Sequence, residues 1–123
     1  MKITSIMVVD DNDGDHFLTQ AIIEEFDSSI EIFQAYDGEE ALEILDSMEN
    51  QPSIILLDIN MPRMNGFEFL EEYGKRENQS RVIAMLTSSD QGRDKEKAMT
   101  YNCVQKYFEK PLDIEDLESL KTL

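Results

Sequence analysis

Three uninterrupted runs of apolar residues constrain this chain most: Ile6 to Val9, Ile54 to Leu57 and Val82 to Leu86. None of them alternates with polar residues, so each run predicts a strand buried on both faces, as in a parallel sheet. Weaker strands are predicted at Ile30 to Ala35 and at Lys106 to Glu109. Segments with helical spacing lie between the strands. This alternation predicts an open α/β sheet with helices on both faces.

The first helical segment carries a predicted apolar face and a predicted cap. Helical spacing places five apolar side chains on one face, namely Phe17, Leu18, Ala21, Ile22 and Phe26. Asp13 is predicted to cap this helix, and Asp15 is predicted to be a first-turn acid favoured by the helix dipole. His16 is predicted to be a solvated side chain on a surface helix, with no role as a phosphate carrier or metal ligand.

Later helices have simpler signals. Asp37 is a predicted N-cap of the second helix, and the fifth helix is predicted to start near Asp113. The fourth helix is predicted over Gln91 to Tyr101 and is notably polar. It is expected to end at Asn102, a residue that tolerates the left-handed cap conformation. Cys103 is expected to be a small packing residue near that end, with no redox role.

Composition excludes several classes of protein. The chain has 123 residues, which suits one compact domain, and its net charge of −16 repels nucleic acid. That charge favours divalent cations and basic partners. No apolar run approaches the length of a membrane helix, and no signal peptide opens the sequence. A single cysteine cannot form an internal disulfide, so we expect a cytoplasmic protein without membrane contact.

Polar residues follow the strong strands at the points where they end. The first run ends in Asp10 and Asp11, the second in Asp58 and the third in Thr87, while the short fifth strand ends at Lys110. The carboxyl ends of parallel strands lie along one edge of the sheet, where ligands of open sheets bind. We therefore expect three carboxylates, a hydroxyl and an ammonium group to converge there.

This set of side chains suits magnesium and phosphoryl chemistry. Mg²⁺ is held by one or two carboxylates and shares phosphate oxygens, so Asp10, Asp11 and Asp58 are candidate ligands, with the backbone carbonyl near Asn60 as a further one. A carboxylate such as Asp58 can also act as a nucleophile and become an aspartyl phosphate. Lys110 and the metal would offset charge on the transferring group.

Three other roles for these residues fit the sequence less well. A calcium-binding loop built on Gly14 fails on spacing, because its first and twelfth positions would be Val9 and Gln20. A phosphatase resembling haloacid dehalogenases also uses a strand-end aspartate, but it places a second acid two residues later, where this chain has Asn60. Asp58 as a purely structural aspartate is disfavoured, because a buried carboxylate is costly.

Four motifs carry a family resemblance across nearly the whole chain. They are "VVDDND", "LLDINMPRMNGFEFL", "MLTSSD" and "YFEKPLD", in that order. Together they resemble the receiver domain of two-component response regulators. The resemblance implies a doubly wound, flavodoxin-like fold with five parallel strands in the order 2-1-3-4-5. It further implies that a sensor histidine kinase or a phosphotransfer protein phosphorylates Asp58.

The same resemblance implies roles for the remaining site residues. Asp10 and Asp11 would hold Mg²⁺, Lys110 would contact the phosphoryl group, and Thr87 would respond to it. Tyr107 matches the aromatic switch position. Thr87 and its loop "TSSD" would move toward the phosphoryl group and vacate space. Tyr107 would then turn inward, and the face made by the fourth helix, the fifth strand and the fifth helix would change shape. Small Ser88 would leave the phosphoryl group accessible.

Some implied features concern details of the loops and the assembly. The peptide bond between Lys110 and Pro111 would be cis. Asn60 and Ser89 stand at positions that tune the phosphoryl lifetime. Residues 1–123 would form one receiver domain, similar to single-domain regulators, with a downstream protein target and a possible homodimer. The alternative within the same fold is a protein-interaction module that no longer cycles phosphate.

Overall fold

The computed structural model describes residues 1–80, 82–88 and 91–123. Strands and helices alternate along these residues, as the sequence predicts. The strands are β1 (Ser5–Val9), β2 (Glu31–Ala35), β3 (Ile54–Leu57), β4 (Val82–Thr87) and β5 (Val104–Glu109). The helices are α1 (Asp13–Phe26), α2 (Gly38–Asp46), α3 (Gly66–Tyr73), α4 (Gly92–Met99) and α5 (Ile114–Lys121).

All the strands belong to one parallel sheet in the order β2-β1-β3-β4-β5. This confirms the predicted α/β fold and the strand order implied by the resemblance. The pairing of Val9 with Leu57 brings the carboxyl ends of β1 and β3 to the same level. The strand order reverses direction beside β1, which places a topological switch point at the carboxyl ends of β1 and β3.

The apolar strands bury both of their faces, as their unbroken hydrophobic runs predict. Side chains alternate between two core clusters on opposite sides of the sheet. One cluster packs under α2, α3 and α4, and the other under α1 and α5. Among the residues described, no helix has both the length and the apolar character needed to span a bilayer.

The predicted apolar face of α1 is correct only in part, because Ile22 and Phe26 pack against the core while the other three residues are exposed. Phe17 and Leu18 are 73% and 55% exposed, while the buried stripe runs through His16, Thr19 and Ile23. This stripe has the helical spacing i, i+3, i+7, but polar side chains occupy its first two positions. Burial of a polar side chain is tolerated where it finds a hydrogen-bond partner, and hydropathy alone does not detect such a position.

Two predicted helix ends also differ in the structure. Asn12, rather than Asp13, caps α1, because its side-chain oxygen accepts a hydrogen bond from the Asp15 amide at 2.9 Å. Helix α4 ends at Met99 and its cap is in the right-handed region, so Asn102 does not end it. The prediction for Asp37 is confirmed, since its carboxylate accepts a hydrogen bond from the Glu40 amide at 2.9 Å.

Candidate functional site

Asp10 and Asp58 stand side by side just past the ends of β1 and β3. The backbone amide of Asp10 donates to the carbonyl of Ala35 at 3.0 Å, and that of Asp58 donates to Val9 at 3.0 Å. These bonds extend the sheet ladder by one step, so both aspartates are held by rigid backbone. Both are buried. Burying two neighbouring carboxylates is costly unless charged partners compensate them.

Asp11 completes a cluster of three carboxylates. Asp10, Asp11 and Asp58 each offer a carboxylate oxygen, and these oxygens lie within 4.8 Å of one another. Asp11 is exposed, which leaves the cluster open to solvent on one side. Hard carboxylate oxygens at this spacing, with an open side for water ligands, fit the ligand preference of Mg²⁺. The donor set therefore suits a divalent cation.

Lys110 is the cation shared by Asp10, Asp15 and Asp58 in the structure. Its Nζ lies 2.7 Å from Asp10, 2.8 Å from Asp15 and 2.9 Å from Asp58. The Lys110 amide also donates to the carbonyl of Thr87 at 2.9 Å, which fixes the end of β5 against β4. The implied cis bond between Lys110 and Pro111 is confirmed.

The pKa values in the site follow from burial and from these ion pairs. Burial raises the pKa of the Asp10 carboxyl above its usual value, although hydrogen bonds from Lys110 and the Asn12 amide pull it part of the way down. Burial by itself would lower the pKa of Lys110. The hydrogen bonds to Asp10, Asp15 and Asp58 outweigh burial, and the net result is a raised pKa that keeps the ammonium charged.

The loop between β3 and α3 is held tightly against the site. Asp58 accepts a hydrogen bond from the Ile59 amide at 2.7 Å, and the Gly66 amide donates to the Ile59 carbonyl at 2.8 Å. Gly66 approaches the Asp58 carbonyl so closely that a Cβ atom would overlap it. Arg63, whose φ is 61°, forms an ion pair with buried Asp37.

This loop also carries Asn60, which is exposed two residues after Asp58. The role of its backbone carbonyl as a metal ligand stays a prediction.

Sequence reasoning missed His16. Its side chain is only 1% exposed, and Nε2 lies 2.8 Å from the Asp10 carbonyl. Because a carbonyl oxygen only accepts, Nε2 is the donor, while Nδ1 has no hydrogen-bond partner within the described part of the chain. The ring also packs 4.5 Å from that of Tyr36. The prediction of a solvated His16 is therefore wrong.

The candidate switch residues lie on β4, which pairs with β3, and on the edge strand β5. Thr87 is fully buried at the end of β4, and Ser88 after it is exposed. Tyr107 in β5 is half-buried and packs against the core cluster beneath α2, α3 and α4. The expected roles of Ser89 and of the rest of the "TSSD" loop fall on Ser89 and Asp90, which lie outside the described residues.

An apolar groove opens beside Lys110. Its volume is about 550 Å³, and it is lined mainly by residues of α1 and by the residues that directly follow β5. Asp15, Ser88 and Lys110 form its polar end. The lining residues are Asp15, Leu18, Thr19, Ala21, Ile22, Ser88, Lys110, Pro111 and Leu112.

Comparisons with known proteins agree with this architecture. The family model for the response regulator receiver domain matches residues 6–121. Response regulator ArlR of Staphylococcus saprophyticus is 31% identical over 93% of this chain, which spans only 49% of ArlR. A two-component response regulator from Cytophaga hutchinsonii superposes with a TM-score of 0.87 at 34% identity, over 99% of this chain and 96% of the other.

A further solved relative is described as phosphorylated. The phosphorylated cyanobacterial phytochrome response regulator RcpA superposes with a TM-score of 0.80 at 25% identity, over 98% of this chain and 91% of that chain.

Proposed function

The chain belongs to the response regulator receiver domain family of two-component systems, and from that premise we propose that Asp58 is its phosphoacceptor. The observation that carries this proposal is the position of the Asp58 carboxylate. It lies 2.9 Å from the Lys110 ammonium and within 4.8 Å of oxygens from two further acids. The solved relative RcpA, which is described as phosphorylated, supports the same conclusion.

The proposed chemical step is a phosphoryl transfer between proteins. A carboxylate oxygen of Asp58 attacks the phosphorus of a phosphohistidine on the donor, which is a sensor histidine kinase or a phosphotransfer protein. The new P–O bond forms as the P–N bond breaks, and its electron pair returns to the donor imidazole. Lys110 stays next to Asp58 and offsets negative charge on the phosphoryl oxygens.

Asp10, Asp11 and Asp58 are proposed to hold Mg²⁺, with the backbone carbonyl of Asn60 as a further ligand. When bound, this ion supplies positive charge to the phosphoryl oxygens and lowers the electrostatic barrier to their approach. Asp10 brings a rigid, buried carboxylate to the cation, and Asp11 brings a solvent-exposed one.

The response to phosphorylation is proposed to pass from Asp58 through β4 to the edge strand β5. The hydroxyl of Thr87, at the end of the neighbouring strand, bonds a phosphoryl oxygen. Tyr107 then turns inward and the face of α4, β5 and α5 changes shape. This is a population shift, and the phosphoryl group needs to favour the active arrangement by only a few kcal/mol.

The donor protein is proposed to cover the apolar groove. Lys110 and Asp15 belong both to the groove and to the ion pairs around Asp58, so the groove lies directly beside the phosphoacceptor site. Exposed Phe17 and Leu18 on α1 extend this apolar surface. A downstream protein target would bind the face of α4, β5 and α5.

Further parts of the proposal concern the chain as a whole. Residues 1–123 act as one receiver domain in the cytoplasm, and homodimerisation uses the face of α4, β5 and α5. The domain acts as a phosphoacceptor switch and catalyses only its own phosphorylation and dephosphorylation.

Phosphorylation by a small donor tests the assignment of Asp58. Acetyl phosphate with Mg²⁺ should add the mass of one phosphoryl group to the wild-type chain, as measured by intact mass spectrometry at neutral pH. Asp58→Asn should take up none, because an amide is not a nucleophile of this kind. Asp46→Asn is the matched control, because Asp46 lies on α2 and pairs with Arg76 outside the site. Equal labelling of Asp58→Asn and wild type would refute the assignment.

The other outcomes separate the alternatives. A wild-type chain that neither binds Mg²⁺ nor takes up phosphate would instead be a receiver-shaped interaction module. Steady turnover of a generic phosphate ester would indicate a phosphatase.

A further inference from the structure

Lys110 is surrounded by carboxylates: its Nζ donates to Asp15 and Asp58 and forms an ion pair with Asp10. An ammonium group has three N–H donors, and its three carboxylate partners lie at 2.7, 2.8 and 2.9 Å. Two of these partners, Asp10 and Asp58, belong to the proposed phosphoacceptor site. The third, Asp15, comes from the first turn of α1 and has no part in the proposed transfer. Its presence there needs a separate explanation.

Asp15 lies on the outer side of this arrangement. Its side chain is 34% exposed and it lines the groove over which the donor approaches. Asp15 and Asp58 both bind the same nitrogen, so their bonded oxygens lie within roughly 6 Å of each other. At that range two negative charges repel each other appreciably, even near a protein surface.

From this geometry we propose that Asp15 restrains phosphorylation of Asp58. The inference rests on the proposed function. Asp15 holds one donor of Lys110 that an incoming phosphoryl group needs, and its negative charge lies next to the position that the phosphoryl group will occupy. Phosphorylation replaces the single negative charge of Asp58 with a phosphoryl group of about −2, so it adds roughly one negative charge to a site that already holds four acids and one ammonium group. Asp15 therefore slows transfer to Asp58 and lowers its occupancy at equilibrium.

The opposite role is an anchor that keeps Lys110 in place for catalysis. The two roles predict opposite changes in rate when Asp15 is altered. Asp15→Asn separates them, because the amide oxygen still accepts a hydrogen bond from Lys110 while the charge is gone. A restraint by charge predicts faster phosphorylation in this variant, whereas an anchor predicts an unchanged or slower rate.

The experiment follows phosphorylation of the full chain by acetyl phosphate at saturating Mg²⁺, with 50 mM and 500 mM KCl as the approximate low and high salt conditions. We expect Asp15→Asn to react roughly three- to tenfold faster than wild type in low salt, with the difference shrinking in high salt because the effect is electrostatic. Mg²⁺ affinity is measured separately by calorimetry, so that a changed metal site is not mistaken for a changed rate.

The matched control is Asp13→Asn. It removes the same charge from the same helical turn, but Asp13 lies toward Tyr36, whose pKa it raises by a hydrogen bond. We expect this control to react at the wild-type rate. An unchanged or slower rate for Asp15→Asn, or an equal gain for Asp13→Asn, would overturn the inference. A wild-type chain that takes up no phosphate on Asp58 would instead show that the proposed function itself is wrong.

Discussion

Replacing Lys110 by methionine removes the cation that compensates the buried carboxylates. Met keeps much of the length and apolar surface of the lysine stem, so the change isolates the ammonium group. Asp10 and Asp58 would then face each other, both buried and without the partner that lies 2.7 and 2.9 Å from them. Breaking a buried ion pair by removing one partner costs about 3–5 kcal/mol.

The expected cost here is about 1 kcal/mol lower than that range at both ends. The site is open beside exposed Asp11, and water and counterions screen the carboxylates there. We expect Lys110→Met to lower the free energy of unfolding by about 2–4 kcal/mol at neutral pH in EDTA, which corresponds to a melting temperature lower by about 10 °C for a domain of this size. Urea unfolding and thermal melts, both followed by circular dichroism, measure this loss.

The pH dependence of the free energy of unfolding tests the same ion pairs in a second way. The pKa of Lys110 is raised in the folded state, so its contribution to stability is complete below its ordinary value of 10.5 and is lost as the pH rises above it. Wild type should therefore lose more stability than Lys110→Met on going above pH 10.5. In the variant, acid should restore stability, because burial raises the pKa of the Asp10 carboxyl and its protonation removes the repulsion with Asp58.

Lys106→Met is the control, because Lys106 lies on β5, the strand that Lys110 directly follows, and forms no ion pair with any described residue. If Lys110→Met in EDTA is as stable as wild type, the carboxylates do not depend on the ammonium group and this reasoning is wrong.

The remaining predictions concern the metal and the buried histidine. Mg²⁺ at ten times its dissociation constant should stabilise wild type by about 1.4 kcal/mol and raise its melting temperature by about 5 °C. The shift should be much smaller in Asp11→Ala, and equal shifts in both proteins would contradict the metal site. His16→Leu should cost about 1–3 kcal/mol in urea unfolding, because the Asp10 carbonyl loses its 2.8 Å partner. His16→Gln keeps an N–H donor and should lose less; equal losses would assign the effect to ring packing against Tyr36 instead.

Much of the fold follows from local pattern in the chain. Unbroken apolar runs at Ile54 to Leu57 and Val82 to Leu86 predict strands with two buried faces, and the sheet buries both faces of each. Alternation of strand and helix then restricts the architecture to a parallel α/β sheet. The order of the strands is a different matter, because a single sequence contains no direct record of which strands pair. It came from the family resemblance, and the structure confirms it.

The exact cap of α1 and the environment of His16 could not be predicted from local pattern. Hydropathy ranks Phe17 above His16 as a core residue, yet the structure buries His16 and exposes Phe17. The histidine is buried because the carbonyl of Asp10, at the end of another element, accepts its N–H. A partner that lies elsewhere in the fold leaves no hydrophobic signal at the residue itself.

The sequence by itself determined which chemical groups end the strands, and so it determined that carboxylates and an ammonium group would meet at one edge of a parallel sheet. Only the tertiary structure decided how they share charge. Asp15 and Lys110 are far apart in the chain, and their 2.8 Å contact depends on how α1 sits on the sheet relative to β5. Electrostatic energy depends on distance in space rather than in sequence, which is why that contact appears only once the chain is folded.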